Sequence, residues 1–209
     1  MNAWQRLAGR VSRLPPGARD QGTSVAELVV AVAIAACVAG TALAAMAGTR
    51  DALAAAGAAR HLAGRVHQIR AAAVARGVHV ALVFRADSSG FCYLTVVDGN
   101  RNGVRTAEIA GGIDHQVEPC ERLGDHFAGV TFGIEPGVTE PESALPIAGN
   151  PLRLGGSSML SFGPDGGATS GTVYLRSRSG QQYALRILGS TGRSRVLRFD
   201  ASMERWEIL

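Results

Sequence analysis

Between Leu28 and Thr49 the chain carries no charged residue, a run of 22 positions dominated by Ala, Val, Leu and Ile. At about 1.5 Å rise per residue, a helix of that length reaches just past a hydrocarbon core of about 30 Å. Four arginines precede the run (Arg6, Arg10, Arg13 and Arg19) against a single acid, Asp20. That bias sets such a segment with its N-terminus inside. Glu27 stands at the mouth of the run, where an ionised side chain is costly and therefore functional by default. Three readings compete. A cleaved secretory signal would use Ala42-Leu43-Ala44 as its cut site, but its apolar core runs only about 7–15 residues and has no use for an acid. A plain membrane anchor accounts for the length and leaves Gly22 and Glu27 unexplained. The third reading takes the glycine and the acid together as one signal.

Gly22, followed by the hydroxyl residue Thr23 and with Glu27 as the fifth residue after the glycine, resembles the cleavage site of type IV pilins and type II secretion pseudopilins. The resemblance implies that residues 1–22 are a leader and that a membrane prepilin peptidase cuts between Gly22 and Thr23. The freed Thr23 amine would then be a site of N-methylation, and Glu27 would pair with such an amine on a neighbouring subunit. A buried carboxylate is tolerable when paired, and the pair would give register to apolar helices packed side by side. The chain departs from the family pattern at Thr23, where Phe or Met is usual. It also lacks a helix-kinking proline, and Gly40 and Gly48 are its only weak points.

Once the leader is set apart, little net charge remains. Of the formal +4, the leader carries +3, so bulk charge says little about partners. All 21 basic residues are arginine, which excludes Walker A loops and lysine nucleophiles. Cys37 lies in the apolar run as an ordinary small residue. Cys92 and Cys120 fall in the body that this topology puts in the oxidising periplasm, where a Cys92–Cys120 disulfide is expected and two buried free thiols are the alternative.

The residues read as α+β, a pilin fold. Residues 23–49 form the transmembrane half of one long helix, 50–77 its amphipathic half, and 78–209 an antiparallel β domain. Leu62, Val66, Ile69 and Ala73 recur at helical spacing, with Arg60, Arg65, Arg70 and Arg76 on the wet sides and Gly77 as the stop. Residues 78–84 and 91–97 read as a hairpin. The next turn carries Asp98, Asn100 and Asn102 ahead of Gly103, the first half of an EF-hand-type calcium loop. The twelfth position is Ile109 instead of Glu, with Glu108 one residue early, and a tight turn using Asn and Gly for positive φ is the other reading. Residues 106–151 are acidic and proline-punctuated, a long loop with one expected strand over 127–134. His115, Cys120 and His126 within it fit no standard zinc spacing. The last third predicts a meander of strands over 159–162, 172–176, 182–188, 196–199 and 206–209.

A second resemblance rests on short patterns. Arg70-Ala-Ala-Ala-Val-Ala-Arg-Gly77 before a Val-rich strand, then Ser161-Phe-Gly-Pro-Asp-Gly166, Gly171-Thr-Val-Tyr-Leu175 and Gly192-Arg-Ser-Arg195, is similar to the GspH and FimT group of minor pilins. The group implies two jobs. One is a structural subunit that joins other pilin or pseudopilin subunits on an inner-membrane assembly platform, for secretion or pilus biogenesis. The other is a FimT-like pilin that binds double-stranded DNA for uptake through Arg193 and Arg195, with Arg176, Arg178, Arg186 and Arg198 extending the patch. Guanidinium groups on an exposed loop would neutralise phosphates, and affinity would come from counterion release. Few aromatics are present to stack on bases. Enzyme motifs are missing: there is no Gly-x-Ser-x-Gly elbow, no His-Glu-x-x-His, no Cys-x-x-Cys and no dinucleotide loop. No catalytic role and no cofactor are expected beyond the weak calcium candidate.

Overall fold

The structure, a computed structural model, describes residues 24–143, 145–147 and 149–209, and of 42–47 the backbone alone. The leader, with Gly22 and Thr23, lies outside the described residues. The chain divides into two compact units, one up to Ala44 and one from Ala45 to Leu209.

Helix α1 spans Val25–Arg76. Ser24 caps it: its hydroxyl accepts the Ala26 N–H at 3.3 Å and its carbonyl the Leu28 N–H at 3.1 Å, which satisfies donors that a helix start leaves open. The helix stops at Gly77, whose φ of 65° is the left-handed conformation that ends helices. Within the second unit, Ala55, Ala58, Ala59, Leu62, Val66, Ile69 and Ala73 are buried. Their spacing of three and four lays one stripe along the helix.

That stripe meets two antiparallel sheets. Strands β1 (Val80–Asp87) and β2 (Gly90–Val97) form the hairpin. β3 (His115–Gln116) and β6 (Met159–Phe162) complete a four-stranded sheet of order β3-β2-β1-β6. The second sheet runs β10-β9-β8-β7-β4, with β5 also pairing β7. Its members are β4 (Thr131–Phe132), β5 (Leu152–Arg153), β7 (Gly171–Arg176), β8 (Gln182–Leu188), β9 (Arg193–Asp200) and β10 (Arg205–Ile208). Strand alternation aims Val80, Leu82 and Phe84 from β1, Leu160 and Phe162 from β6, and Val173, Leu175, Leu185 and Ile187 from β7 and β8 into one core with the helix stripe. The alternate residues Ala81, Val83, Leu94 and Val96 form a second cluster with Val104 on the outer face. A fully buried Leu or Ile contributes about 1.5–3 kcal/mol relative to exposure.

Three expectations are corrected here. β6 is not part of the meander: it pairs with β1, Leu82 opposite Leu160. The strand expected over 127–134 is only Thr131–Phe132. Before it, Phe127 N–H donates to Leu123 O at 2.8 Å and Val130 N–H to Phe127 O at 3.1 Å, so turns take the donors a ladder would need. The acidic stretch is not all loop, since α2 (Thr106–Ala110) and α3 (Leu123–His126) lie in it.

Candidate functional site

Glu27 lies in the first turn of α1, exposed, where its charge complements the helix dipole. Around it Val25, Leu28, Val29, Val30, Val32, Ile34 and Val38 are all more than half exposed, at 56–80%, among the described residues. They point in every direction around the helix axis. No helix is long and apolar enough to cross a membrane among the described residues, which leave out the side chains of 42–47 toward the end of the uncharged run.

The C-terminal arginines separate into groups. Arg193 and Arg195 are not on a loop, as expected, but in β9. They are two apart and so share a face. Arg195 stands directly opposite Arg186 on β8, a like-charge pairing that costs stability unless countered. Arg186 is countered: it donates to Thr172 Oγ1 at 2.9 Å and to Glu142 Oε1 at 2.7 Å. Arg193 and Arg195 are exposed and have no acid partner among the described residues. Arg198, three residues from Arg195, falls on the other face and pairs Glu207 at 3.2 Å. Arg176 sits at the far end of β7, paired with Glu135 at 3.4 Å. Arg178 is in the β7–β8 turn. The patch is therefore Arg193 and Arg195 with Arg186 beside them, and the other three do not extend it.

Three patterns that are distant in sequence meet behind that patch. Arg70 Nε donates to Gly166 O at 3.1 Å. Gly192, at φ 60°, lies so close that a Cβ there would be 2.2 Å from Gly166 O and 2.9 Å from Arg70 Nε. Only glycine combines that conformation with that approach. Gly192 thus serves packing, and the arginines after it are held out from a fixed base.

The Asp98 turn closes on itself. Asp98 Oδ1 accepts the Asn100 and Arg101 N–H groups at 3.0 and 2.7 Å, and Oδ2 accepts Gly103 N–H at 2.7 Å. Burial works to raise the Asp98 pKa, yet these backbone donors outweigh it and hold the carboxyl below its ordinary value. Asn100 and Asn102 donate their side-chain amides to Glu108, at 3.3 and 2.8 Å. Among the described residues no group of three or more His, Cys, Asp or Glu is placed to hold a metal. Cys92 and Cys120 are joined in a disulfide, so Cys120 is no zinc ligand, and His115 and His126 belong to different contacts.

A polar seam beside the disulfide went unseen in the sequence. Glu121 Oε1 accepts from His61 Nε2 at 2.9 Å and lies 3.1 Å from His126 Nε2. His61 Nε2 is also 3.2 Å from the Tyr93 hydroxyl. One turn along the helix, Arg65 pairs Glu118, which also accepts from Thr95 Oγ1 at 2.5 Å. Arg65, then Thr95, hold the Glu118 carboxyl below its usual range, and burial, then Glu121, push the Tyr93 phenol up. The seam ties α1 to β2 and the acidic stretch. Helical spacing of His61 and Arg65 was its one sequence signal, and spacing does not name partners 60 and 53 residues away.

A long helix seated on antiparallel sheets defines an α+β protein. Residues 58–192 match the family model described as type II transport protein GspH. That match spans more than half of the chain, and the protein belongs to the GspH family. Neither a curated protein nor a solved structure matches it. The matched segment contains Arg70, the 161–166 turn and Gly192, the three parts of the interlock, and ends just before Arg193.

Proposed function

We propose that this protein is a minor pseudopilin or pilin subunit that joins a type II secretion pseudopilus or a type IV pilus through its N-terminal helix. It is a single-pass inner-membrane protein with the leader inside and the β domain in the periplasm, processed between Gly22 and Thr23 by prepilin peptidase. Thr23, once methylated, and Glu27 make the subunit contacts on the assembly platform, and the protein itself is not an enzyme. The observation that carries this reading is the uncharged helix exposed on all sides and headed by one acid, in a chain of the GspH family. An all-round apolar helix needs bilayer or other helices around it. The test is Glu27→Leu in the native operon. Cleavage is expected to persist, read as a mass drop matching loss of residues 1–22, while the subunit disappears from sheared filaments. Unchanged incorporation would remove Glu27 from assembly.

A second reading is favoured by one observation, the unpaired Arg193 and Arg195 beside Arg186 on one sheet face. In it the subunit binds duplex DNA without sequence preference. Titration of the protein with duplex DNA at several salt concentrations decides it. Binding that weakens steeply with salt and vanishes in Arg193→Ala plus Arg195→Ala supports DNA uptake; no binding at low salt leaves those arginines as edge charges.

A further inference from the structure

The β7–β8 turn is fastened to the helix at one level. Ser179 N–H donates to Asp51 Oδ2 at 2.9 Å, and the Ser179 hydroxyl donates to the same oxygen. The α3–β4 turn arrives at the same point: a Cβ on Gly129 would lie 3.5 Å from Arg178 Cβ and 3.6 Å from Asp51 Oδ1. Asp51 is the first acid after Glu27, and Arg50 is the first charge after the uncharged run. The run ends at Thr49, inside the same compact unit and the same helix as these contacts. Thr49 precedes Asp51 by two residues in that helix, a rise of about 3 Å, so the run ends at the level where the turn is fastened. At that level Arg50 and Arg178 are exposed and have no ion-pair partner among the described residues, and Leu53, a turn further on, is 67% exposed. The Asp51 carboxylate makes no ion pair with either arginine and accepts from Ser179 through Oδ2; that hydroxyl is the leading cause holding the Asp51 carboxyl below its ordinary value.

We infer that Arg50 and Arg178 form a headgroup-binding edge, their guanidinium groups donating to phosphates of the outer face of the bilayer while Leu53 lies against it. The planar fork of arginine suits phosphate oxygens bidentately. The inference rests on the anchor reading above. It assigns the β7–β8 turn a partner that neither subunit assembly nor DNA binding requires.

The test uses the full chain in nanodiscs of phosphatidylcholine, alone or with one third phosphatidylglycerol, and in detergent micelles. Arginines are modified with phenylglyoxal and each site is read by mass spectrometry. Arg50 and Arg178 are expected to react at least about five-fold more slowly in discs than in micelles, with Arg193 and Arg195 unchanged. Equal slowing in both lipid mixtures supports contact with phosphate in general, and greater slowing with phosphatidylglycerol adds the negative surface. Arg178 reacting in discs as fast as in micelles overturns the inference, as does equal slowing at Arg193 and Arg195. Retention of the chain in lipid vesicles through an alkaline carbonate wash separates the two readings. A chain washed away refutes the anchor, whereas one retained with Arg178 unprotected refutes only the headgroup edge.

Discussion

The two halves of α1 are written in the same alphabet of Ala, Val and Leu and end in opposite surroundings. From Val25 to Val38 the large apolar side chains are exposed, whereas Ala55, Ala58, Ala59, Leu62, Val66, Ile69 and Ala73 are buried almost completely. The first half is apolar all round and has no preferred face. The second is apolar on one stripe, and arginines fix which way that stripe turns. Arg65 and Arg70 are not simply the wet side: one pairs Glu118 and the other grips Gly166 O, so they rivet the flanks of the stripe to the acidic stretch and to the 161–166 turn. Apolar composition is thus a demand for a partner. A stripe can be met within the chain, and an all-round surface cannot.

Substitutions can break that contrast. Leu62→Ala, at a site with no exposure, is expected to lower unfolding free energy by about 3–5 kcal/mol, while Val30→Ala leaves it unchanged; denaturant melts of both variants measure the difference. An equal effect of both would mean that the first half is packed within the chain after all. Cys92→Ser with Cys120→Ser frees the acidic stretch from β2 and should cost about 2–4 kcal/mol, the range for a cross-link spanning a loop of this kind, read by comparing oxidised, reduced and mutant melting curves. Gly192→Ala forces a side chain into the left-handed region and against Gly166 O. A loss of about 1–3 kcal/mol is expected, with Arg193→Ala close to neutral as the control.

The smallest effect is the pH dependence of the helix flank. The folded pKa of Glu118 is depressed, so its stabilisation is present above the unfolded value, about 4.3, and is lost as pH falls through the folded one. Thermal melts should fall as pH drops below about 5, with Asp51 and Asp98, also held down, contributing in the same direction. Glu118→Gln is expected to melt lower at pH 7 and to show a shallower acid limb. A limb as steep as that of the unmodified protein would remove the Arg65–Glu118 pair from the account. Its magnitude is modest because Glu118 is 41% exposed and screened by solvent.

Much of this architecture was readable from local pattern. The buried positions Leu62, Val66, Ile69 and Ala73, the stop at Gly77, the β1–β2 hairpin and strands β7 and β8 follow from periodicity and turn residues, which act between near neighbours along the chain. The existence of an uncharged helix headed by Glu27 follows from composition in the same way, and so does the arginine pair on the last third. What local pattern could not assign was partnership. Met159–Phe162 has the alternation of a strand wherever it goes, and it joins β1 because Leu160 and Phe162 fill the core beside Leu82. Arg198 looks like a neighbour of Arg195 until the pleat turns it to the other face and Glu207 takes it. Glu121, His61 and His126 are separate polar residues until the bridge between Tyr93 and Glu121 brings the acid to the helix. Pairings of this kind depend on contacts across dozens of residues, whose geometry is set only when the whole core closes.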